Sequence, residues 1–144
     1  MMESSRRIGL ELAAIGNLIK RRVPNIPNAE TELTRMQIWV INYIRHRDSE
    51  KDMYQGEIER TFNITRATAS NLLKRMERDG LITRESVFHD ARMKKILLTD
   101  EAIRRSDEVL RCIDENERLM EQNISVDDLE VFFRVIDQIK ENLS

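Results

Sequence analysis

The stretch NITRATASNLLKRMERDGLITRE, from Asn63 to Glu85, decides how the rest of the chain is read. Its apolar residues recur at a helical period: Ala69, Leu72, Leu73 and Met76 follow an i, i+3, i+4, i+7 spacing and share one face. The other side carries Arg66, Ser70, Asn71 and Lys74, with Thr65 and Thr68 near the N-terminal end. Solvated helix faces are usually rich in Glu and Lys, which form helices well and pair with each other. Thr, Ser and Asn form helices less well, so their presence asks for a reason. Asp79-Gly80 closes the segment, with Gly80 suited to the left-handed conformation that ends a helix.

Beyond Gly80 the period changes. LITRES and KKILLT favour extended chain and are joined by the polar VFHDARM, a pattern that predicts a β-hairpin with Arg92 at its tip and Lys94 and Lys95 behind it. Upstream, Ile8, Leu12, Ile15 and Ile19 predict a helix over residues 5–22, which VPNIPNAE breaks. Thr34 is placed to cap a second helix, RMQIWVINYIRH, with apolar residues around much of its circumference. A short helix is expected at about 54–62, with Ile58 and Phe62 inward. Downstream, a long helix runs from Leu98-Thr99-Asp100-Glu101 to about Gln122, and Ser125 caps a last one ending at Leu143.

These elements predict a mainly α protein with a small β-hairpin, arranged as a winged helix-turn-helix. A single domain spans 1–144, with the winged lobe at about 34–99 and flanking helices at about 5–22 and 100–143. In such a lobe the second helix of the pair enters the major groove with its N-terminal residues against base edges. Asn there can pair with adenine and Arg with guanine, while short hydroxyls allow close approach. An Arg on a thin protrusion suits a narrow, electronegative minor groove. The DNA-binding candidates are therefore Thr65, Arg66, Thr68, Ser70, Asn71, Lys74, Arg92 and Lys94. A winged helix serving as a protein–protein or RNA interaction module is the alternative.

Charge agrees with this placement. The 144 residues have a formal net charge of −2, but residues 54–95 hold nine basic side chains against six acidic. Residues 96–144 hold six against thirteen. A basic middle beside an acidic end points to a localised anion-facing surface. Arg6-Arg7 before IGLELAAIGNLI faintly resembles an export signal, yet Glu11 interrupts the apolar run and Lys20-Arg21-Arg22 follows it. The segment reads as an amphipathic helix and the protein as cytoplasmic. No apolar run approaches the length that spans a membrane.

At this point the chain resembles the MarR (multiple antibiotic resistance regulator) transcription factors. YQGEIERTFNITRATASNLLKRMERDGLITRESVFHDARMKKILLTDEA looks like their DNA-binding lobe, through the short helix, the recognition segment, the wing Asp90-x-Arg92 and the LLT leading into a long helix. Length and helix order extend the resemblance over the chain. It implies a homodimer on double-stranded DNA with a pseudo-palindromic operator, Arg92 in the minor groove and Asp90 helping to hold the wing. One departure stands at Met93-Lys94-Lys95, where many members continue with Asp-Arg-Arg. The resemblance also implies a repressor released by a small-molecule effector or by cysteine oxidation.

The apolar stripes of the first and last helices fit the expected dimer. Leu129, Phe132, Phe133, Ile136 and Leu143 form one stripe, widened by Val131, Val135 and Ile139, more than one lobe hides. Met36, Trp39 and Tyr43 are the candidates for lining an effector pocket, although such residues are usually core. Cys112, the only cysteine, lacks a nearby Lys or His and reads as inert packing. His46 and His89 lack ligand-spaced partners, so no metal site and no cofactor is expected. No phosphate-cradling glycine loop or nucleophile motif is present, so no enzymatic activity is expected.

Overall fold

The computed structural model describes residues 5–22, 33–87 and 90–144, with residues 90–92 described by backbone alone. The elements in order are α1 (Ile8–Arg22), α2 (Arg35–His46), α3 (Gln55–Phe62), α4 (Arg66–Arg78), β1 (Ile82–Val87), β2 (Asp90–Leu98), α5 (Asp100–Glu121) and α6 (Val126–Leu143). This is the expected mainly helical winged helix-turn-helix, with β1 and β2 as a two-stranded antiparallel wing. The break expected at VPNIPNAE lies outside the described residues.

Helix boundaries fall where capping chemistry puts them. Thr34 Oγ1 accepts from the Gln37 N–H at 3.2 Å, and Gln37 Oε1 accepts from the Thr34 N–H at 3.0 Å, a reciprocal capping box. Ser125 caps α6 through the Asp128 N–H. At the end of α4, Gly80 takes φ +75°. The Gly80 N–H then reaches Glu77 O at 3.1 Å and the Leu81 N–H reaches Met76 O at 2.9 Å, which satisfies two carbonyls of the last turn. Asn63, at φ 50°, ends α3 in the same left-handed region.

The wing departs from expectation in extent. Val87 pairs with Asp90, so β2 begins at Asp90 and the connection shortens to residues 88–89, which lie outside the described residues, His89 among them. Arg92 therefore sits within a strand, two residues past its start, rather than at a loop tip. The register shifts between the Ser86–Lys94 and Val87–Asp90 pairs, so residues 91–93 have no partner on β1 and Arg92 lies in this irregular stretch of the strand.

The chain divides into two compact units, residues 23–111 and residues 1–22 with 112–144. The first holds the winged helix around Ile38, Ile41, Ile58, Leu73, Met76 and Leu81, all at most 1 % exposed. Polar ties stitch its elements together. Gln37, itself buried, donates from Nε2 to Asp79 Oδ2 at 3.1 Å and so joins the start of α2 to the end of α4. Thr99 Oγ1 donates to Gly80 O at 2.7 Å while accepting from the Ala102 N–H at 3.1 Å, which fastens the start of α5 to the α4 turn. The Ile96 N–H donates to Met53 O at 2.8 Å and ties the α2–α3 connection to β2.

Arg47 makes the densest of these ties. Its guanidinium grips Glu57 with two bonds, Nε to Oε2 at 2.7 Å and Nη2 to Oε1 at 2.9 Å, while Nη1 donates to Lys51 O at 2.7 Å. Tyr43 Oη donates to the same Glu57 Oε2 at 2.5 Å, and the Tyr43 ring meets Phe62 edge-on at 5.9 Å. The Arg47 hydrogen bonds hold the Glu57 carboxyl below its usual range despite partial burial, and Glu57 in turn raises the Arg47 guanidinium.

The second unit contains α1, the end of α5 and α6. Neither α1 nor α6 buries a residue within the single chain. Phe132 and Phe133 are 49 % and 56 % exposed, and Ile8, Leu10 and Leu18 all exceed half exposure. Cys112 is exposed on α5, not packed as the sequence suggested. The buried positions of that helix are Ala102, Ser106, Val109, Leu110 and Ile113, and this stripe leaves residue 112 to one side.

Removing the Arg47 side chain strands a partly buried carboxylate. Arg47→Ala is expected to lower the unfolding free energy by about 1–3 kcal/mol at neutral pH. Because the Glu57 pKa is depressed in the folded state, this stabilisation is fully present above the ordinary carboxyl pKa and is lost as pH falls through the folded value. Urea titrations near neutrality and near pH 3 should therefore show a parent–variant gap that narrows in acid. An equal gap at both pH values would assign the loss to packing.

Candidate nucleic-acid interface

The candidate surface is built on α4, and its orientation is set by what α4 buries. Ala69, Leu73 and Met76 are fully buried and Leu72 is half-buried, so the helix has one committed face. Diametrically opposite lie Ala67, Asn71, Lys74 and Arg78, at i, i+4, i+7 and i+11, all exposed. Arg75 is exposed beside them. The centre of the outward face is therefore shifted from the sequence expectation. Asn71 and Lys74 occupy it as expected and the exposed Thr68 flanks it, whereas Arg66, also exposed, stands in line with the buried stripe at the start of the helix, three residues before Ala69, and Ser70 is half-buried. Ala67, Arg75 and Arg78 belong to the face and were not singled out.

Thr65 is the N-cap of α4. Its Oγ1 accepts from the Thr68 N–H at 3.1 Å and donates to Thr68 Oγ1 at 2.9 Å. The Thr65 hydroxyl is thus spent on the helix, whereas the Thr68 proton stays available to an outside acceptor. The small Ala67 leaves a gap on the outward face where an atom of a partner can approach the backbone.

Arg66 turns toward the wing. It lines a cavity of about 380 Å³ together with Gln55 at the start of α3, Arg84 on β1, and Met93 and Lys94 on β2. Gln55 Nε2 donates to Arg66 O at 3.3 Å, linking the first residues of α3 and α4. Arg84 is paired with Glu77 at 3.4 Å. The start of α3, the start of α4 and the wing thus converge on one basic concavity that includes Arg66, Arg84 and Lys94. Gln55 and Arg84 escaped the sequence analysis. Strand alternation on β1 was the signal available for Arg84; the α3–α4 packing that brings Gln55 in was not visible.

Lys94 is exposed on β2. Asp90 and Arg92 lie on the same strand, and their side chains fall outside the described residues. Met36, Trp39 and Tyr43 are half-buried on α2. Tyr43 is engaged with Glu57, and none of the three lines the cavity beside Arg66. Among the described residues no group of three or more acidic, His or Cys side chains is gathered as a metal site would need. No described helix is long and apolar enough to cross a membrane.

With this geometry in place, comparison with known proteins is direct. The MarR family model matches residues 31–93, the segment from before α2 into the wing. The fold extends over nearly the full length of solved MarR-type structures. The transcription regulator MarR from Oenococcus oeni PSU-1 is 25% identical, with a TM-score of 0.81 over 94% of this chain and 99% of that one. MepR of S. aureus, solved in complex with DNA, has a TM-score of 0.75 at 22% identity over 97% and 100%. The PcaV transcriptional regulator from Streptomyces coelicolor, solved with its natural ligand, has 0.71 at 19% over 100% and 99%. The 31–93 segment is thus similar to the MarR family, and the fold of the chain is that of solved MarR-type structures.

Capping and contact roles on α4 separate by experiment. Thr65→Ala is expected to destabilise the protein by about 0.5–2 kcal/mol, the usual cost of a lost N-cap. Asn71→Ala, on the exposed face, should stay within about 0.5 kcal/mol of the parent. Thermal or urea unfolding of the two variants checks this; a comparable loss for Asn71→Ala would mean that its side chain serves the fold.

Proposed function

We propose that this protein is a homodimeric, sequence-specific regulator that binds double-stranded DNA, acts as a repressor and is released by a small-molecule effector. The observation that carries the reading is the outward face of α4, where Asn71, Lys74 and Thr68 stand exposed beside a basic cavity closed by the wing. A helix with this face can lie in the major groove, with Arg66, Thr68 and Asn71 toward base edges and Lys74 toward phosphate. Lys94 follows the backbone along the wing, Arg92 reaches the minor groove and Asp90 helps to hold the wing. Thr65 contributes by fixing the N-terminus of α4, and Ser70 lies at the margin of the contact.

The dimer is supported by α1 and α6, whose apolar side chains stand open in the single chain. A second copy would cover them, and two-fold pairing is the commonest way to close such a surface. It would set two α4 helices on half-sites of a pseudo-palindromic operator. The effector is supported by the liganded PcaV structure among the similar folds. In this reading Met36, Trp39 and Tyr43 on α2 contact it, and the protein acts in the cytoplasm.

Selection of bound sequences from a random duplex DNA pool tests the reading. A two-fold motif should emerge, with half-site centres about 10–10.5 bp or a multiple apart. Absence of enrichment, with only weak binding erased by salt, would favour a protein- or RNA-interaction module. On the selected operator, Arg66→Ala and Asn71→Ala should each cost about 1–3 kcal/mol and relax preference at particular bases. Lys94→Ala should weaken all sequences alike and reduce the salt slope by about 1. Fluorescence anisotropy across a salt series distinguishes the two patterns, and parent-like binding by all three variants would displace the contact surface from α4.

A further inference from the structure

Among the described residues, two polar side chains are buried in the core, Gln37 and Ser106. Ser106 donates to Ala102 O at 2.6 Å and so serves its own helix. Gln37, 2 % exposed, reaches across the lobe instead. Its Oε1 accepts from the Thr34 N–H in the cap of α2, and its Nε2 donates at 3.1 Å to Asp79 Oδ2 at the C-cap of α4. One amide thus clamps the first turn of α2 to the last turn of the candidate DNA-reading helix.

Local helix stability alone does not call for either residue. A capping box is made equally well by a Glu, whose charge also suits the N-terminal end of a helix dipole. At this position, however, a Glu sets a second carboxylate against Asp79. Asp79 in turn carries its negative charge at the end of α4 where the dipole disfavours it, and its other oxygen meets Arg78 at 3.6 Å in a well-exposed pair. A Gln accepts from the Thr34 N–H and donates to Asp79 at once, which an ionised carboxylate cannot do. A buried amide is costly unless both its ends are bonded, so the arrangement that satisfies it is strongly specified.

The bond falls where α4 needs fixing. Burial of Ala69, Leu73 and Met76 sets the rotation of α4 about its axis but leaves it able to tilt. Its N-terminal end is held by Gln55 through Arg66 O. At the far end Thr99 Oγ1 holds the turn at Gly80 O, and Gln37 holds the Asp79 side chain from α2. The 13 residues of α4 span about 20 Å, so a tilt of about 5° about the N-terminal end moves the last turn by roughly 2 Å. Such a shift exceeds what a hydrogen bond to a base edge or a phosphate tolerates. We propose, on the reading that α4 enters the major groove, that Gln37 is a positioning residue for the DNA-reading helix. Through Asp79 it sets the tilt of α4, and with it the reach of Asn71 and Lys74, without touching DNA itself.

The test exchanges donor and acceptor. Full-length parent, Gln37→Glu, Asp79→Asn and the Gln37→Glu/Asp79→Asn double variant are titrated by fluorescence anisotropy against the operator selected with the parent. The temperature is one at which circular dichroism shows each to be fully folded. Asp79→Asn leaves an oxygen to accept from Gln37 and should bind within about twofold of the parent. Gln37→Glu places two carboxylates together and should lose about tenfold in operator affinity. The double variant restores the bond with its polarity reversed and should return to within about threefold of the parent. Selection repeated with Gln37→Glu should give the parent's motif with weaker preference at the base pairs that Asn71 reads. A bond that serves only stability changes neither the affinity nor the preference of folded protein. Parent-like binding by folded Gln37→Glu, or a double variant no better than Gln37→Glu, would overturn the proposal. If Gln37→Glu does not fold, Gln37→Met removes the donor without adding charge; a loss of about threefold or more is then expected, and parent-like binding overturns the role. A parent that selects no operator sinks the DNA reading and this role of Gln37 with it, whereas a parent that selects one while the variants match it sinks the positioning role alone.

Discussion

Ala69, Leu73 and Met76 carry one face of α4 out of water, and the rest of the winged helix is arranged around that commitment. A helix that buries this stripe has no freedom to rotate without exposing apolar surface at roughly 25 cal/mol per Å². The opposite residues, Ala67, Asn71, Lys74 and Arg78, are therefore presented to solvent by the core. The turn at Gly80 extends the same constraint into the wing. It returns the chain so that Leu81 is fully buried and β1 can start at Ile82.

Burial alone leaves the elements free to slide, and the polar ties remove that freedom. Gln37 to Asp79, Thr99 to Gly80 and Ile96 to Met53 each join segments distant in sequence by a directional bond. The Arg47–Glu57 pair fixes α3 against the end of α2 with planar two-point geometry, to which the Tyr43 hydroxyl adds a third bond. Gln55 then passes the position of α3 to the first residue of α4. Apart from Gln55, which lines the interface cavity itself, the residues that hold the candidate interface take no part in it.

Charge and apolar surface are partitioned along the chain in a corresponding way. The basic excess of residues 54–95 coincides with α3, α4 and the wing, while the acidic excess of 96–144 coincides with α5 and α6. The helices that bury nothing in one chain, α1 and α6, lie outside the basic segment. Basic and apolar surfaces thus belong to different stretches of sequence.

What the sequence determined by itself is everything that depends on near neighbours. Helical period marked the buried stripe of α4, cap residues Thr34 and Ser125 marked helix starts, and Gly80 marked an end, because each is decided within four or five residues. The family resemblance was legible for the same reason, since it rests on a contiguous stretch of such signals. Tertiary structure decided the rest. How Asp90 to Met93 run depends on the register against β1, which shifts between Ser86 and Val87, and composition does not announce such a shift. Ser70 and Cys112 change environment according to which stripe the neighbouring elements cover. Gln37 and Asp79 stand 42 residues apart, and nothing local to either announces the bond. The same holds for Arg47 with Glu57, and for the cavity beside Arg66. Local signals fix which face of an element turns inward; only packing across the chain decides what that face meets.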